Sequence, residues 1–410
     1  MNINYSLNLS MISRELRLLL DILKVEHDDS IWTLKEELVK DIDWELFLKL
    51  AKHHRVYPII YLKIKKIDEK LIPSRVINIL NQKYIENTYR MLRLAAEMEI
   101  VSKIFTENHI RLLFLKGPVI AEDIYGDISL RTSKDLDILV PINDISKAEE
   151  LLLYNGYERE ESSAVFDNWR WMTHHVTYFH PQKEVQIEIH WRLHPSPGKE
   201  PNFDELWERK RVSTLTTYPV HFFGEEDLFI YLVAHGARHG WFRLRWLVDI
   251  DKIIRKRKDK ENINLLLKKY LHYNNIGQAT ILANRLLNTP IPEEMKSIST
   301  GKRTRKRTSK IAQLSIFYIV EMGDLEINQY NDNLVNNSSG LMKLNLQKSL
   351  VNRYLFSMKS NLQKISFVLQ LLYPSHEDSV ILKLPKPLYF LYFPLRPFLW
   401  AWRKTRRQSV

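Results

Sequence analysis

The stretch that decides the fold runs from residue 111 to residue 140 and reads RLLFLKGPVIAEDIYGDISLRTSKDLDILV. It begins with a compact apolar run that ends at Gly117, and Pro118 then suits the first turn of a helix. A second apolar run, DLDILV, follows and stops before Pro141. The pattern therefore predicts a strand, a turn, a helix and a second strand, in that order.

The second strand carries two carboxylates on one face. Alternate side chains of a strand share a face, so Asp135 and Asp137 stand together. Leu136 and Ile138 pack on the opposite face. Neighbouring anions repel each other, and proteins that keep such a pair commonly offset the repulsion with a hard divalent cation such as Mg²⁺. The alternative interpretation is a solvated strand edge with two exposed acids.

A hairpin further along the chain supplies a third carboxylate. Two strands are predicted at 174–180 and 184–191, joined by the turn PQK. Glu188 falls on the polar face of the second strand, so it projects beside Asp135 and Asp137 if the two strands are neighbours. Three carboxylates from adjacent strands would provide oxygen ligands for two Mg²⁺ ions, which clamp both ends of an in-line phosphoryl displacement.

Three of the four histidines in the same predicted hairpin bear on the site. His190 shares the polar face with Glu188, and it either touches the site or packs beside Trp191. His174 and His175 begin the first strand of the hairpin, where they either stack on a base or ribose or belong to the core or the surface.

The turn at Lys116 and Gly117 suits a phosphate group. A glycine lets the backbone approach a phosphate closely, and the helix that follows presents free N–H groups at its N-terminus. Lys116 adds a positive charge. Lys116 and Gly117 indicate a phosphate site because they lie directly before the helix and the strand that carries the paired acids.

These features, in this order, resemble the nucleotidyltransferase superfamily of the DNA polymerase beta type, in which a glycine turn precedes an acid-x-acid strand. More narrowly, three segments are similar to a bacterial family of uncharacterised nucleotidyltransferases, some of which are found with lasso-peptide pathways. The segments are LLFLKGPVIAEDIYGDISLRTSKDLDILV, VQIEIHWRLHP and AHGARHGWFRLRWLVDIDKI.

The resemblance implies an enzyme that moves a nucleoside monophosphate from an NTP, such as ATP, to an acceptor and releases pyrophosphate. It implies no particular acceptor, and we predict a hydroxyl or phosphate of a small molecule or peptide. It implies two Mg²⁺ ions as cofactors and Asp135, Asp137 and Glu188 as metal ligands and catalytic residues. Glu188 would assist in removing the proton of the acceptor. Two hypotheses stay open beside it: a catalytically silent nucleotide-binding module and an RNA-directed nucleotidyltransferase.

The residues that grip the triphosphate depart from the superfamily pattern. The superfamily usually places a second glycine or a serine after the turn glycine, whereas Pro118 has neither a hydroxyl nor a backbone N–H. The candidates for the phosphate contact near Gly117 are Lys116, Arg131, Ser133 and Lys134.

A helix is predicted at AHGARHGW, and the resemblance favours a face that meets the substrate. Arg238 or His239 would then contact the triphosphate or the base. His235 and His239 also lie four residues apart, which suits a zinc pair, although no third ligand is apparent nearby. Helix packing is the remaining interpretation. Trp246 and Asp249 are predicted to hold this helical unit together.

Apolar residues outside the core are spaced as in helices. The predicted fold is α+β, with a small mixed nucleotidyltransferase sheet and helices flanked by helical N- and C-terminal regions. The predicted regions are a helical N-terminal region (1–107), a catalytic core (108–222), a helical substrate- or nucleotide-binding region (223–300) and a basic, aromatic-rich helical C-terminal region (301–410).

The composition bears on the compartment. The 410 residues include no cysteine, which excludes disulfides and cysteine-based metal sites and fits a reducing cytoplasm. The N-terminus lacks the features of a secretory signal, and no stretch approaches the roughly 18 to 20 apolar residues of a bilayer span. The protein is therefore predicted to be cytoplasmic.

The net positive charge of the chain comes from its C-terminal quarter. The chain has 61 Lys and Arg against 49 Asp and Glu, and the last 110 residues contribute 18 and 6 of these. The basic runs at 301–310 and 403–407 flank a closing segment rich in aromatic residues. Peripheral membrane contact by this segment is one hypothesis, and folding back over its own domain is the favoured alternative. Binding to nucleic acid is a further hypothesis. It is not favoured, because the sequence shows no RNA-recognition signature.

Overall fold

The computed structural model describes residues 7–24, 36–65, 67, 71–160, 173–194, 200–256, 273–292, 295, 302–329, 354, 356, 364–365, 374 and 376–406. The N-terminal helices are α1 (Arg14–Lys24), α2 (Glu36–Val39), α3 (Trp44–His53), α4 (Tyr57–Ile64) and α5 (Ser74–Glu107). The helices among the strands are α6 (Pro118–Tyr125), α7 (Ile145–Tyr154) and α8 (Phe203–Glu208). The later helices are α9 (Glu225–Arg238), α10 (Leu244–Lys256), α11 (Tyr273–Leu287), α12 (Lys302–Gln329), α13 (His376–Ile381) and α14 (Tyr392–Arg406).

Seven strands form one mixed sheet, which confirms the predicted α+β class with helical flanks. The strands are β1 (Leu113–Phe114), β2 (Asp135–Leu139), β3 (Glu158–Arg159), β4 (His175–His180), β5 (Val185–His190), β6 (Arg211–Val212) and β7 (His221–Phe222). Short 3₁₀ turns lie at Ile128–Leu130, Ile142–Asp144 and Lys386–Leu391. The predicted boundaries of the four regions stay predictions. Helix α5 ends at Glu107 and strand β7 ends at Phe222, which are the last residues of the first two predicted regions.

The strand order β3-β4-β5-β2-β1-β7-β6 puts β2 at the centre of the sheet. Strands β4 and β5 form the predicted antiparallel hairpin, and β2 pairs in parallel with β5. In that pair Asp137 lies opposite Glu188, and Asp135 lies opposite Gln186. Residues that lie opposite each other in neighbouring strands point to the same face of the sheet. The side chains of Asp137 and Glu188 therefore lie side by side on one face.

The opposite face of β2 and β5 belongs to the core. Leu136, Ile138, Ile187 and Ile189 are all completely buried, as the alternation of side chains predicts. A fully buried side chain of this size contributes about 1.5–3 kcal/mol relative to an exposed one. This burial fixes the register, because a slip by one residue would turn the apolar set towards the polar face.

The turn after β1 has the predicted geometry. Helix α6 begins at Pro118, and Gly117 has a φ of 97°, which side-chain-bearing residues rarely adopt. A Cβ on Gly117 would also lie 3.4 Å from Leu136 Cδ2. The turn therefore lies directly over the start of β2, and Leu115 N donates a hydrogen bond to the carbonyl oxygen of Asp137 at 2.8 Å.

A close contact between Gly236 and Trp241 fixes the turn between α9 and α10. Trp241 is completely buried and has a φ of 60°. Its backbone N–H donates to Gly236 O at 2.9 Å. A Cβ on Gly236 would lie 2.3 Å from Trp241 Cζ3, so only glycine leaves room for the ring. The contact sets the position of the last turn of α9, which carries Arg238.

We expect Gly236→Ala to lower the free energy of unfolding by about 1–3 kcal/mol, because the added methyl group overpacks the contact with the Trp241 ring. Chemical denaturation followed by circular dichroism measures the change. In the double variant with Trp241→Leu, the shorter side chain relieves the clash, so the two losses should be less than additive. Full additivity would contradict this account of the contact.

The C-terminal region exposes apolar side chains. Phe398 is 72% exposed, Trp402 is 57% exposed and Trp400 is 53% exposed, all on α14. No described helix is both long enough and apolar enough to cross a bilayer. The side chains of 301–305 and 403–407 lie outside the described residues, so the membrane and nucleic-acid contacts of this region stay predictions.

Candidate active site

A completely buried carboxylate, Asp137, forms the centre of a polar cluster on β2. Its Oδ1 accepts hydrogen bonds from Lys116 Nζ at 2.8 Å and from His190 Nε2 at 3.2 Å. Its Oδ2 has no hydrogen-bond partner in the described part of the chain. A buried carboxylate oxygen without a partner is rare in folded proteins and indicates a place where a ligand or ion binds.

Glu188 connects this cluster to solvent. Its Oε2 lies 3.3 Å from His190 Nε2 and 3.8 Å from His175 Nε2, and its side chain is 19% exposed. His190 therefore lies between the two carboxylates, with its Nε2 within hydrogen-bonding distance of both. The strands supply these groups because Glu188 and His190 are two residues apart on β5 and share the face that carries Asp137.

The geometry of the cluster fits a divalent cation. Asp137, Glu188 and His190 each offer a ligand atom, and these atoms lie within 4.8 Å of one another. His174 and His175 form a second such group with His190. Carboxylate oxygens suit Mg²⁺ or Mn²⁺, and imidazole nitrogens suit transition metals. The unpartnered Oδ2 of Asp137 adds an acceptor that a cation would satisfy.

Asp135 lies beside this group without being part of it. Among the described residues, neither set of possible metal ligands includes Asp135. Burial, and then the negative charge of Asp137, raises the pKa of Asp135 to about 6. The structure thus brings Asp137 and Glu188 together with His190, where the sequence predicts Asp135 as the third ligand.

The two aspartates have opposite pKa shifts. Burial on its own would raise the pKa of Asp137, but the Lys116 ammonium and the hydrogen bond from His190 hold that pKa well below its usual range. Burial likewise opposes the positive form of His190, yet the hydrogen bonds to Asp137 and Glu188 raise the pKa of the imidazole. Neighbouring acids with separated pKa values are typical of catalytic sites.

Helix α9 covers the cluster with polar groups. Burial raises the pKa of Tyr231 to about 12, and the charges of Lys116 and Asp137 also act on its hydroxyl. Arg238 Nη2 donates to His235 Nδ1 at 3.3 Å. Burial lowers the pKa of Arg238, while the charges of Asp137 and Glu188 oppose that shift. Arg238 therefore lies within electrostatic reach of both carboxylates.

His239 caps the C-terminal end of α9, and burial, followed by the charge of Arg238, lowers the pKa of its imidazole to about 3. The ring stacks on Trp246, with centroids 5.1 Å apart and planes at 27°. Among the described residues, no third possible ligand lies with His235 and His239. Their rings, which the sequence predicts as a possible zinc pair, pack against each other with centroids 4.7 Å apart.

Two residues predicted to contact phosphate make internal bonds. Arg131 is 1% exposed, and its Nε and Nη2 each donate to Asp249 at 3.1 Å. Ser133 is also buried, and its Oγ donates to the carbonyl oxygen of Asp135 at 3.1 Å. A phosphate contact by Ser133 would require its bond to break, whereas Arg131 keeps one nitrogen, Nη1, that is buried and has no hydrogen-bond partner among the described residues. Lys134 is exposed, and Lys116 is only partly buried.

The roles of His190 and His175 in the cluster were not assigned from the sequence. Their rings stack with centroids 5.0 Å apart and planes at 28°. His190 had a visible signal, since it follows Glu188 by two residues on a strand. His175 reaches the cluster through the antiparallel pairing of β4 and β5, in which it lies opposite His190.

Comparison with known proteins bears on this site. A protein-family model described as uncharacterised nucleotidyltransferase matches residues 40–288, more than half of the chain. The matched range includes β1, β2, β5, α9 and α10, and hence every residue of the cluster around Asp137. No curated protein and no solved structure matches the chain significantly.

Proposed function

Because the chain belongs to this family of uncharacterised nucleotidyltransferases and is therefore a transferase, we propose that it is a Mg²⁺-dependent enzyme with an NTP as its donor. It moves a nucleoside monophosphate to a hydroxyl or phosphate of a small-molecule or peptide acceptor and releases pyrophosphate. The observation that carries the proposal is the buried Asp137, which has an unpartnered Oδ2 and lies opposite Glu188 in the register of the sheet.

We propose that Asp135, Asp137 and Glu188 hold the metal, with His190 as a neighbouring ligand or orienting group. A divalent cation bound there would neutralise the charge of the triphosphate and lower the pKa of the acceptor hydroxyl. The nitrogen of His190 lies 3.2 Å from Asp137 Oδ1 and 3.3 Å from Glu188 Oε2, so it orients both carboxylates.

Asp137 and Glu188 have different roles in the proposed reaction. Asp137 stays ionised because Lys116 and His190 hold its pKa low, so it serves as a fixed negative charge. Glu188 is the partly exposed carboxylate, so it is placed to accept the proton that the acceptor hydroxyl loses. Little covalent chemistry is needed from the protein, because positioning and charge stabilisation account for most catalysis of phosphoryl transfer.

The NTP contacts follow from the same elements. Gly117 and the N-terminus of α6 offer backbone N–H groups, and Lys116 and Lys134 offer positive charge. We propose that Arg238, at the end of α9, and His239, which follows it, contact the triphosphate or the base. The internal bonds of Arg131 and Ser133 favour a supporting role, in which they hold the loop before β2 rather than the phosphate.

The composition and the family resemblance support a proposal for the setting of the enzyme. A chain without cysteine fits the cytoplasm. The resemblance to a family with some members in lasso-peptide pathways suggests a role in natural-product biosynthesis. The basic, aromatic C-terminal segment fits a peripheral contact with a membrane surface, and its charge also fits nucleic acid. RNA as acceptor predicts binding that weakens steeply with added salt.

We expect the purified full-length protein to release pyrophosphate when it is incubated with labelled NTPs, Mg²⁺ and a pool of hydroxyl, phosphate and peptide acceptors. EDTA should abolish the release, and excess Mg²⁺ should restore it, because the buried carboxylates need the cation to bind the triphosphate. The readouts are pyrophosphate and transfer of the label to an acceptor. Release that resists EDTA, or none from any NTP, would count against the proposed function.

A further inference from the structure

Three histidines lie together at one end of the hairpin of β4 and β5, and two of them have no role in the proposed reaction. His174 precedes β4, His175 is the first residue of β4, and His190 is the last residue of β5. One ring nitrogen from each of the three lies within 4.8 Å of the other two. We name this set the histidine cluster. It shares only His190 with the set that contains Asp137 and Glu188.

The sheet fixes the positions of the three rings. In the antiparallel register of β4 and β5, His175 lies opposite His190, and the two rings stack with centroids 5.0 Å apart. Trp191 N donates a hydrogen bond to His174 O at 3.1 Å. Because Trp191 directly follows His190, this bond holds His174 against the end of β5. The cluster is therefore placed by backbone pairing and does not depend on a loose loop.

The spacing of two imidazole nitrogens matches that of two ligands on one metal ion. His174 Nδ1 lies 3.4 Å from His175 Nδ1. With Zn–N bonds of about 2.0–2.1 Å in a tetrahedral site, two ligand nitrogens lie about 3.3–3.4 Å apart. A hydrogen bond at this distance would satisfy these two nitrogens alone, whereas a metal ion would also use a nitrogen of His190.

The two nitrogens of His190 have different surroundings. Nε2 lies 3.2 Å from Asp137 Oδ1 and 3.3 Å from Glu188 Oε2. Nδ1 is buried and has no hydrogen-bond partner in the part of the chain that the structure describes. A histidine that binds a metal almost always donates its other ring N–H to a carboxylate, backbone carbonyl or water, which leaves the ligating nitrogen without a proton. His190 has this arrangement, with Nε2 beside the carboxylates and Nδ1 left for a metal ion.

The chemistry of the cluster favours a transition metal over Mg²⁺. Mg²⁺ prefers oxygen ligands, whereas imidazole suits Zn²⁺ and the neighbouring transition metals. Three histidine ligands leave the fourth tetrahedral position open, as in catalytic zinc sites. The side chain of His175 is 33% exposed, so an ion can reach the cluster from solvent on that side.

We propose that the histidine cluster binds one divalent transition-metal ion of the Zn²⁺ class through His174, His175 and Nδ1 of His190, with water in the fourth position. This inference goes beyond the proposed function, which uses Mg²⁺ at the carboxylates. His190 joins the two sites, because one of its nitrogens binds the transition metal and the other orients Asp137 and Glu188. The ion thereby fixes the ring on which the two carboxylates depend.

We expect the full-length protein, freed of metal by EDTA and dialysis, to bind one equivalent of Co²⁺ in the presence of excess Mg²⁺. Co²⁺ is the probe because four-coordinate Co²⁺ with nitrogen ligands absorbs strongly in the visible, and Zn²⁺ should displace it. His174→Gln and His175→Gln should each weaken binding by about 100-fold or more, since loss of a group that only orients a metal ligand already costs about 10–100-fold. Thermal unfolding curves establish that both variants are folded.

The matched control is His180→Gln, at the other end of β4. The ring of His180 packs on Tyr157 with centroids 5.0 Å apart, and His180 is not a member of the cluster. This variant should bind Co²⁺ as the wild type does. Equal weakening by His180→Gln and His174→Gln, or binding by His174→Gln and His175→Gln that equals the wild type, would overturn the assignment.

Glu188→Gln separates the histidine cluster from the carboxylates. Glu188 belongs only to the set with Asp137, and His174 belongs only to the histidine cluster. Glu188→Gln should therefore weaken Co²⁺ binding less than His174→Gln does. An equal or greater loss in Glu188→Gln, or full displacement of Co²⁺ by Mg²⁺, would place the ion on the carboxylates and overturn the proposal. Since no transfer is measured, a protein that binds Co²⁺ as expected but releases no pyrophosphate would count against the proposed function and leave this inference standing.

Discussion

Replacement of Asp137 by asparagine lowers the rate of nucleotidyl transfer by about 10³-fold or more. The expected size follows from the several kcal/mol that a bound cation contributes to the transition state, at 1.36 kcal/mol per factor of ten. Asparagine keeps the shape of the side chain and an oxygen that can accept from Lys116 and His190. It lacks the negative charge that the metal and the neighbouring cations require.

The measurement is the initial rate of pyrophosphate release, made beside a thermal unfolding curve for each variant. Glu158→Gln is the matched control, since Glu158 is an exposed acid on β3 of the same sheet. We expect its rate to equal that of the wild type. If Asp137→Asn kept the wild-type rate, the chemistry would have to lie elsewhere, and a nucleotide-binding role for this cluster would be favoured instead.

Removal of the Asp249 charge lowers the free energy of unfolding by about 3–5 kcal/mol, because it leaves the buried Arg131 guanidinium uncompensated. Asp249 is completely buried and accepts bonds from Arg131 Nε and Nη2 and from Tyr125 Oη, the last at 2.7 Å. Asp249→Asn removes the negative charge and replaces one acceptor oxygen with an NH₂ group. The midpoint of denaturant unfolding measures the loss.

The control for this prediction is an exposed ion pair. Arg111 Nη2 lies 2.8 Å from Asp204 Oδ1, and both side chains are well exposed. Asp204→Asn should change the free energy of unfolding by less than about 1 kcal/mol. Replacing both buried charges, with Arg131→Met and Asp249→Leu, should recover part of the loss. Equal effects of Asp249→Asn and Asp204→Asn would refute the structural role.

Local periodicity explains why part of the site was predictable. The alternation of side chains along β2 and β5 indicated that the acids share a face, and Gly117 with Pro118 marked the turn and the helix start. These features depend on neighbouring residues alone. The four strands of two residues, β1, β3, β6 and β7, are too short to leave an alternating pattern, so the size of the sheet was not predictable in the same way.

Contacts between distant residues could not be read from local patterns. Arg131 and Asp249 are 118 residues apart, and nothing near Arg131 indicates that a buried carboxylate will pair with it. His54 O accepts a hydrogen bond from Arg245 N, although His54 belongs to a helical region that precedes the core by more than 50 residues. Such pairings depend on how the helices pack around the sheet, and that packing has no signature in the spacing of the residues themselves.

The parallel register of β2 and β5 makes assembly of the site an all-or-none event. A slip by one residue would turn Glu188 into the interior and bring an isoleucine opposite Asp137. At the cation site proposed here, the stoichiometry of divalent-ion binding would therefore report on correct folding. In any preparation, the molar fraction of chains that take up a divalent ion would count those whose central strands have paired correctly.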